Sequence, residues 1–325
     1  MISAIGWPLW ALILLFLCGL VLIVKGGDFF VDAATWMAEV SGIPHFVIGA
    51  TVVSFATTLP ELIVSCIGAM RGSNAIAIGN AVGSVTANTG LIMAISVLCI
   101  PSIVKRKQYA FKSILLLIAT TVLYLSSFGK SFSMIGTVLL LILFLISVFE
   151  SIKIAKTEAS SGEKQQFEKK DLPRNLFKFI FGAAGIVFGA DFLVASATEI
   201  ASVSGVSEAV ISATIVAIGT SLPELVTTVT AIIKKQSALS VGNIIGANLI
   251  DISVILPVCS LLSGGSLTSC AQNLYLDIPI CLFTLAIALI PMLFRGKFTR
   301  VQGGVLLAVY LAYVLTMSFW NPFSS

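Results

Sequence analysis

Along the 325-residue chain, long apolar stretches alternate with short polar or basic ones. A helix needs about 20 apolar residues to cross the hydrocarbon layer of a bilayer. Ten stretches follow that rule: residues 5–24, 44–70, 75–100, 110–126, 132–148, 176–194, 209–233, 238–262, 274–294 and 301–319. Two of them break their own pattern. ATTLPEL at 56–62 and GTSLPEL at 219–225 set a proline and a glutamate in the middle of an apolar run. Proline has no N–H for the carbonyl four residues back, so Pro60 frees the carbonyl of Ala56, and Pro223 that of Gly219. In hydrocarbon such carbonyls are tolerated only where they line a cavity or find another partner.

The two exceptions belong to an internal repeat. Residues 26–88 align without gaps onto 189–251 at an offset of 163, and 24 of the 63 positions are identical. Five spans per copy is an odd number, so the second copy enters the membrane from the opposite side. This is the inverted-topology repeat of many secondary transporters, whose site lies near the midplane between the halves. The expected fold is an all-α polytopic membrane protein with ten transmembrane helices. Residues 1–150 form the first five-helix repeat, with its motif at 50–92, and 174–325 the second, with its motif at 213–255. Residues 151–173 read as a solvated cytoplasmic linker.

Composition agrees with the pattern. The chain is 58% hydrophobic and 10% charged, where soluble domains carry about 25% charged residues. Lysine and arginine collect on the cytoplasmic side of membrane proteins. With both termini outside, only Arg71 and Lys130 of the 19 basic residues fall outside. The net charge of +4 therefore mostly expresses sidedness, and no nucleic-acid partner is implied. The six cysteines carry no CxxC spacing and read as small apolar fillers.

Glu61, Glu224 and Asp251 fall deep within spans, where no lysine or arginine is expected to accompany them. A carboxylate at that depth faces the bundle interior and marks a site by default. Without a basic partner, these three call for a cation. On the face of Glu61 lie Thr58, Thr57 and Ser54, three, four and seven residues back. Around Glu224 the matching places hold Ser221, Thr220 and Ala217. On the following helices Ser84 precedes Asn88 by four residues, as Ala247 precedes Asp251. Carboxylates, hydroxyls, an amide and freed carbonyls make an all-oxygen set suited to Ca²⁺ or Na⁺, with nothing soft to favour zinc or copper. Gly79, Gly83, Gly242 and Gly246 form small-xxx-small pairs that allow close helix packing. Asn80 and Asn243 are expected to hydrogen-bond between helices, and Asp28 and Asp191 to hydrogen-bond near helix ends.

AIGTSLPEL followed by GNIIGANLID, and SFATTLPEL followed by GNAVGSVTAN, resemble the two α-repeats of the cation/Ca²⁺ antiporter superfamily, in particular its prokaryotic Na⁺/Ca²⁺ exchangers. The resemblance spans the whole chain. It implies Ca²⁺ binding at Glu61 and Glu224, and a polar midplane pair at Asn88 and Asp251. It implies Na⁺ coordination by Thr57, Thr58, Ser84, Thr220, Ser221 and the carbonyl of Ala217. It also implies that helices 1 and 6 slide past the ion-binding core. The sequence departs from the family pattern at Ala56-Thr57-Thr58, where Gly-Thr-Ser is usual. It departs again at Ser54, where a small apolar residue is common, and at Ala247, which replaces a hydroxyl-bearing serine.

The expected function is therefore electrogenic Na⁺/Ca²⁺ antiport by alternating access at the plasma membrane. The protein is expected to be no enzyme and to carry no cofactor. Its partners are the lipid bilayer and the transported Ca²⁺ and Na⁺, with no protein partner implied. H⁺/Ca²⁺ or K⁺-dependent exchange is the alternative within the class. A cation channel is the alternative of a different class, told apart by whether flux saturates and requires a counter-ion. An intramembrane aspartyl protease would need two aspartates sharing a proton, and Asp251 has Asn88 as its counterpart in the repeat.

Overall fold

The computed structural model describes residues 6–70, 72, 74–99, 106–128, 131–161, 171–204, 219 and 221–319. Among the described residues eleven helices carry the architecture: α1 (Leu9–Ser41), α2 (His45–Thr57), α3 (Leu59–Met70), α4 (Ala77–Cys99), α5 (Arg106–Ser127), α6 (Met134–Ser161), α7 (Asp171–Val203), α8 (Leu222–Ile233), α9 (Ser237–Leu262), α10 (Asn273–Arg295) and α11 (Arg300–Phe319). Eight of them are long and apolar enough to cross a membrane. The pair α2 and α3, bent by 47° at Thr58, makes a ninth span when taken together. Of the expected span 209–233, α8 is its second part, and residues 209–218 lie outside the described residues.

Helix ends follow local chemistry. Pro8 precedes the first turn of α1, and α1 stops at Gly42, whose φ of 70° suits a residue without a Cβ. Gly296 ends α10 in the same way, with φ 67°. Two-residue strands β1 (Ser131–Phe132) and β2 (Leu267–Thr268) pair antiparallel and tie the loops after α5 and α9 together.

Helices α1, α6 and α7 run well beyond their expected bounds, α7 over Asp171–Val203 where 176–194 is expected. α1 continues 17 residues past residue 24, to Ser41, so Asp28 sits within the helix rather than at its end. Its carboxylate pairs with Lys234 instead, at 3.3 Å. α6 continues to Ser161, so the first part of the expected linker is helical.

Helices α1 and α7 pack backbone to backbone along a stripe of glycines. A Cβ on Gly26 would lie 2.8 Å from the Ile186 amide nitrogen and 2.9 Å from the Gly182 carbonyl oxygen. On Gly189 it would lie 2.8 Å from the Gly19 carbonyl oxygen. The pair has a small apolar cluster of its own, with Phe30, Val31, Ala34 and Ile186 meeting Ile48 of α2, Ala231 of α8 and Leu239 of α9. The main core joins α2, α4, α5, α9 and α10, through residues such as Ile78, Val85, Leu116, Ile245, Ile252 and Leu285. A largely apolar crevice of about 640 Å³ separates α7, at Phe179 and Ile180, from α2, α5, α6 and α9.

Lengthening the glycine stripe tests this packing. Gly26→Leu and Gly189→Leu are each expected to lower stability by about 1–3 kcal/mol, because the added side chain would run into the backbone of the facing helix. Gly304→Ala on α11, where a Cβ would meet nothing within 4 Å, leaves the melting temperature of the detergent-purified protein unchanged. Equal melting of all three variants would count against the backbone contact.

Candidate functional site

The site is built where the two interrupted spans meet. Pro60 cannot continue the hydrogen-bond ladder, and Thr58 takes φ −86° and ψ 0° at the bend. Ser221, its counterpart at offset 163, takes φ −91° and ψ 7° immediately before α8. The two copies thus share one backbone conformation, in the sparsely populated bridge region. Glu61 and Glu224 follow in the next turn of their helices, each only 1% exposed.

Asn88 and Asp251, also buried, each open a π-helical turn, Asn88–Met93 in α4 and Asp251–Ile255 in α9. An inserted residue of this kind disturbs the i→i−4 ladder and is common at functional sites. Close packing brings the helices together. A Cβ on Gly246 would lie 2.6 Å from Ser54 Oγ, and one on Gly242 would run into the Phe46 carbonyl oxygen, so α9 rests directly on α2. The counterparts of Phe46, Ala50 and Ser54 at offset 163 lie outside the described residues.

Thr58 links the two copies. Its Oγ1 donates to the Ser54 carbonyl at 2.6 Å and lies 3.3 Å from Glu224 Oε1. Thr57 Oγ1 lies 3.3 Å from the Ser54 carbonyl and 3.4 Å from Asn243 Oδ1 on α9. Ser54 Oγ itself is turned to the Thr51 carbonyl at 3.2 Å, so this residue offers its carbonyl rather than its hydroxyl to the cluster. Asn80 Nδ2 donates to Ser65 Oγ at 2.9 Å, joining α4 to α3 as expected of that asparagine.

Glu61 is within electrostatic range of both Glu224 and Asp251. Among the described residues, both carboxylate oxygens of Glu61 and of Asp251 are buried without a hydrogen-bond partner. So are Glu224 Oε2, Asn88 Oδ1 and Ser221 Oγ. Ser84 is buried on α4 one turn before Asn88. The structure therefore gathers Thr57, Thr58, Glu61, Glu224 and Asp251, with Asn88, Ser84 and Ser221 on the same group of helices. Thr220 and Ala217 lie outside the described residues. No three His, Cys, Asp or Glu side chains among the described residues gather closely enough to chelate an ion unaided. An ion held here would also draw on hydroxyl and carbonyl oxygens.

Several polar groups escaped the reading of the chain. Thr227 and Thr228 on α8, Asn248 and Ser253 on α9 are buried with an unpartnered oxygen. Their only trace in the sequence was polarity inside an apolar span. Asp277 is a fourth buried carboxylate, and it is fully occupied. Asn273 Nδ2 donates to it at 2.9 Å, Tyr313 OH at 3.0 Å and Gln272 Nε2 at 3.4 Å.

Lys112 departs from the expectation that no basic residue lies buried in a span. It is 1% exposed on α5, donating to Ser151 Oγ at 2.6 Å and Ser147 Oγ at 3.1 Å, with Glu150 at 3.6 Å. Its long stem let it be read as a residue at the water interface. At the far end of α8, Lys234 bonds Asp32 at 2.7 Å and the Asp28 carbonyl at 2.9 Å, while Lys178 of α7 bonds the other Asp32 oxygen at 3.3 Å. This cluster fastens the α1/α7 pair to α8.

Comparison with known proteins adds an independent line. A family model described as sodium/calcium exchanger protein matches residues 11–153 and 175–319. An uncharacterized membrane protein of Methanocaldococcus jannaschii is 33% identical, over 93% of this chain and 96% of that protein. The sodium/calcium exchanger MaX1 of Methanosarcina acetivorans is 28% identical, over 94% of this chain and 98% of its own. Among solved structures, the sodium-calcium exchanger NCX_Mj soaked with 2.5 mM Na⁺ and 10 mM Sr²⁺ superimposes with a TM-score of 0.83 at 30% identity. That match covers 95% of this chain and 99% of the other.

The contrast between occupied and unoccupied carboxylates predicts opposite signs. In chelator-treated, Na⁺-free buffer, Glu61→Gln and Asp251→Asn are expected to raise the melting temperature, since each removes a buried charge that nothing meets. Asp277→Ala is expected to lower it, at a cost of about 1–3 kcal/mol, by stranding the Asn273 and Tyr313 donors. A thermal-shift series in which all three move the same way would undo the distinction.

Proposed function

The chain belongs to the sodium/calcium exchanger protein family of cation/Ca²⁺ antiporters, and on that premise we propose that it exchanges Na⁺ for Ca²⁺ across the plasma membrane by alternating access. It is a transporter rather than an enzyme. The observation that carries the reading is the set of buried carboxylate oxygens on Glu61, Glu224 and Asp251 that no described donor meets. Charges so placed are stable only when paired or when coordinating a cation. The donor set around them is oxygen throughout.

In this reading Glu61 and Glu224 bridge Ca²⁺, with Asn88 and Asp251 beside them at the midplane. Na⁺ ions use Thr57, Thr58, Ser84, Thr220, Ser221, the carbonyl of Ala217 and Ser54. The shared backbone conformation at Thr58 and Ser221 supports two inverted five-helix repeats, 1–150 and 174–325, joined by 151–173 on the cytoplasmic side. Ten helices with both termini outside follow from that arrangement. The α1/α7 pair, held together by backbone contacts and bordered by the apolar crevice, is the moving part. Three carboxylates limit the site to about three negative charges, so more monovalent than divalent ions are neutralised per cycle and exchange moves net charge.

The test is ⁴⁵Ca²⁺ uptake by proteoliposomes loaded with Na⁺, K⁺ or low-pH buffer. Uptake is expected with internal Na⁺ and is expected to fall to background in Glu61→Gln and Glu224→Gln. Net positive charge leaves with Na⁺, so an inside-positive potential set with valinomycin accelerates uptake. Indifference to potential would remove the electrogenic part. Uptake driven only by a proton gradient assigns H⁺/Ca²⁺ exchange, and uptake without any counter-ion assigns a channel.

A further inference from the structure

Among the differences between the two repeats, one adjacent pair lies a turn before Asn88 and Asp251. At offset 163, Ser84-Val85 of the first copy become Ala247-Asn248 in the second. A hydroxyl is lost at one position and an amide gained at the next. Thr89 in the first copy has Ile252 as its counterpart, so a second polar group also breaks the symmetry.

The structure joins these two exceptions. Asn248 is 1% exposed, and its Nδ2 donates to Thr89 Oγ1 at 2.9 Å, from α9 to α4. Its Oδ1 is buried and has no hydrogen-bond partner. Asp251 follows Ala247 by four residues and Asn248 by three, so at 3.6 residues per turn its side chain falls between theirs on the helix surface. Both Asp251 oxygens are unpartnered as well. The opposite face of this turn is closed by Gly246 lying against Ala50 and Ser54. A buried amide oxygen is rarely left without a partner, and amide carbonyls are ordinary ligands of hard cations.

We infer that Asn248 is a cation ligand, its Oδ1 held in place by Thr89 and supplying Na⁺ with the oxygen missing at Ala247. A neutral amide adds an oxygen without adding charge, which suits a monovalent ion beside one carboxylate better than a divalent ion drawing on two. This rests on the Na⁺/Ca²⁺ exchange reading above.

The full-length protein in proteoliposomes allows both to be tested. Na⁺-driven ⁴⁵Ca²⁺ uptake gives the half-saturating Na⁺ concentration, and ⁴⁵Ca²⁺/Ca²⁺ self-exchange, which needs no Na⁺, gives that for Ca²⁺. Asn248→Ala is expected to raise the Na⁺ value by about 10-fold, the effect of one good contact, while the Ca²⁺ value stays at that of the wild type. Adding Ala247→Ser to Asn248→Ala is expected to restore part of the Na⁺ response. Thr89→Val shifts it in the same direction by a smaller factor, and carries the test if Asn248→Ala does not fold. An unchanged Na⁺ value, or loss of Na⁺ and Ca²⁺ responses together, makes Asn248 a helix-packing residue and overturns the inference while leaving Na⁺/Ca²⁺ exchange standing. A wild-type protein that ignores Na⁺ overturns both.

Discussion

Glu61, Glu224 and Asp251 sit in the interior of an apolar helical bundle with at least one carboxylate oxygen each that no described donor meets. Removing an ionised carboxylate from water costs several kcal/mol unless a counter-charge or a set of hydrogen bonds replaces the water. Other buried charges in the same protein show how that cost is normally offset. Asp277 has three donors, and Lys112 has two serine hydroxyls and Glu150. Among the described residues the three central carboxylates have only the Thr58 hydroxyl, beside Glu224 Oε1, and much of the surrounding architecture serves the same end. Pro60 and Pro223, having no N–H, leave the carbonyls of Ala56 and Gly219 without their usual donor. The π-helical turns at Asn88 and Asp251 open the ladder of their helices, and Gly242 and Gly246 let α9 approach α2 closely enough for short side chains to share one space.

A second constraint separates what is rigid from what is free to move. The α1/α7 pair is joined by glycine contacts in which backbone touches backbone, so its two helices have no slack between them. Toward the rest of the protein its contacts are of another kind. Among the described residues they include a small apolar cluster bordered by an apolar crevice, the approach of Gly27 to Val226 and Thr230 of α8, and the ionic group of Lys234, Lys178, Asp28 and Asp32 at one end. Smooth apolar surfaces slide with little change in buried area, whereas an ionic group favours one register. Under the alternating-access reading, the pair moves as one body and Lys234 marks the arrangement seen in this structure.

The repeat is close enough to reproduce a φ/ψ pair at Thr58 and Ser221 to within a few degrees, yet the two copies no longer carry the same oxygens. Ser84 answers to Ala247, Val85 to Asn248 and Asn88 to Asp251. A symmetric scaffold with unequal ligands allows the two halves of one site to treat different ions differently, which a perfect repeat would not.

By itself the sequence determined the membrane class, the repeat, the interrupted spans and the three central carboxylates. Each of these is a matter of local chemistry. Twenty apolar residues, a proline without its N–H, and a glutamate with no basic neighbour have the same consequences wherever the chain folds. Helix lengths were less legible, because α1 runs on through Gly26, packed against α7, and Gly27, packed against α8, and α6 continues beyond its apolar stretch. Lys112 and Asp277 were missed because burial depends on which helix stands opposite. The same holds for Asn248, whose amide is turned by a threonine 159 positions away. Whether a polar side chain is satisfied or left open is a property of two surfaces at once, and only the tertiary structure brings the second one into place.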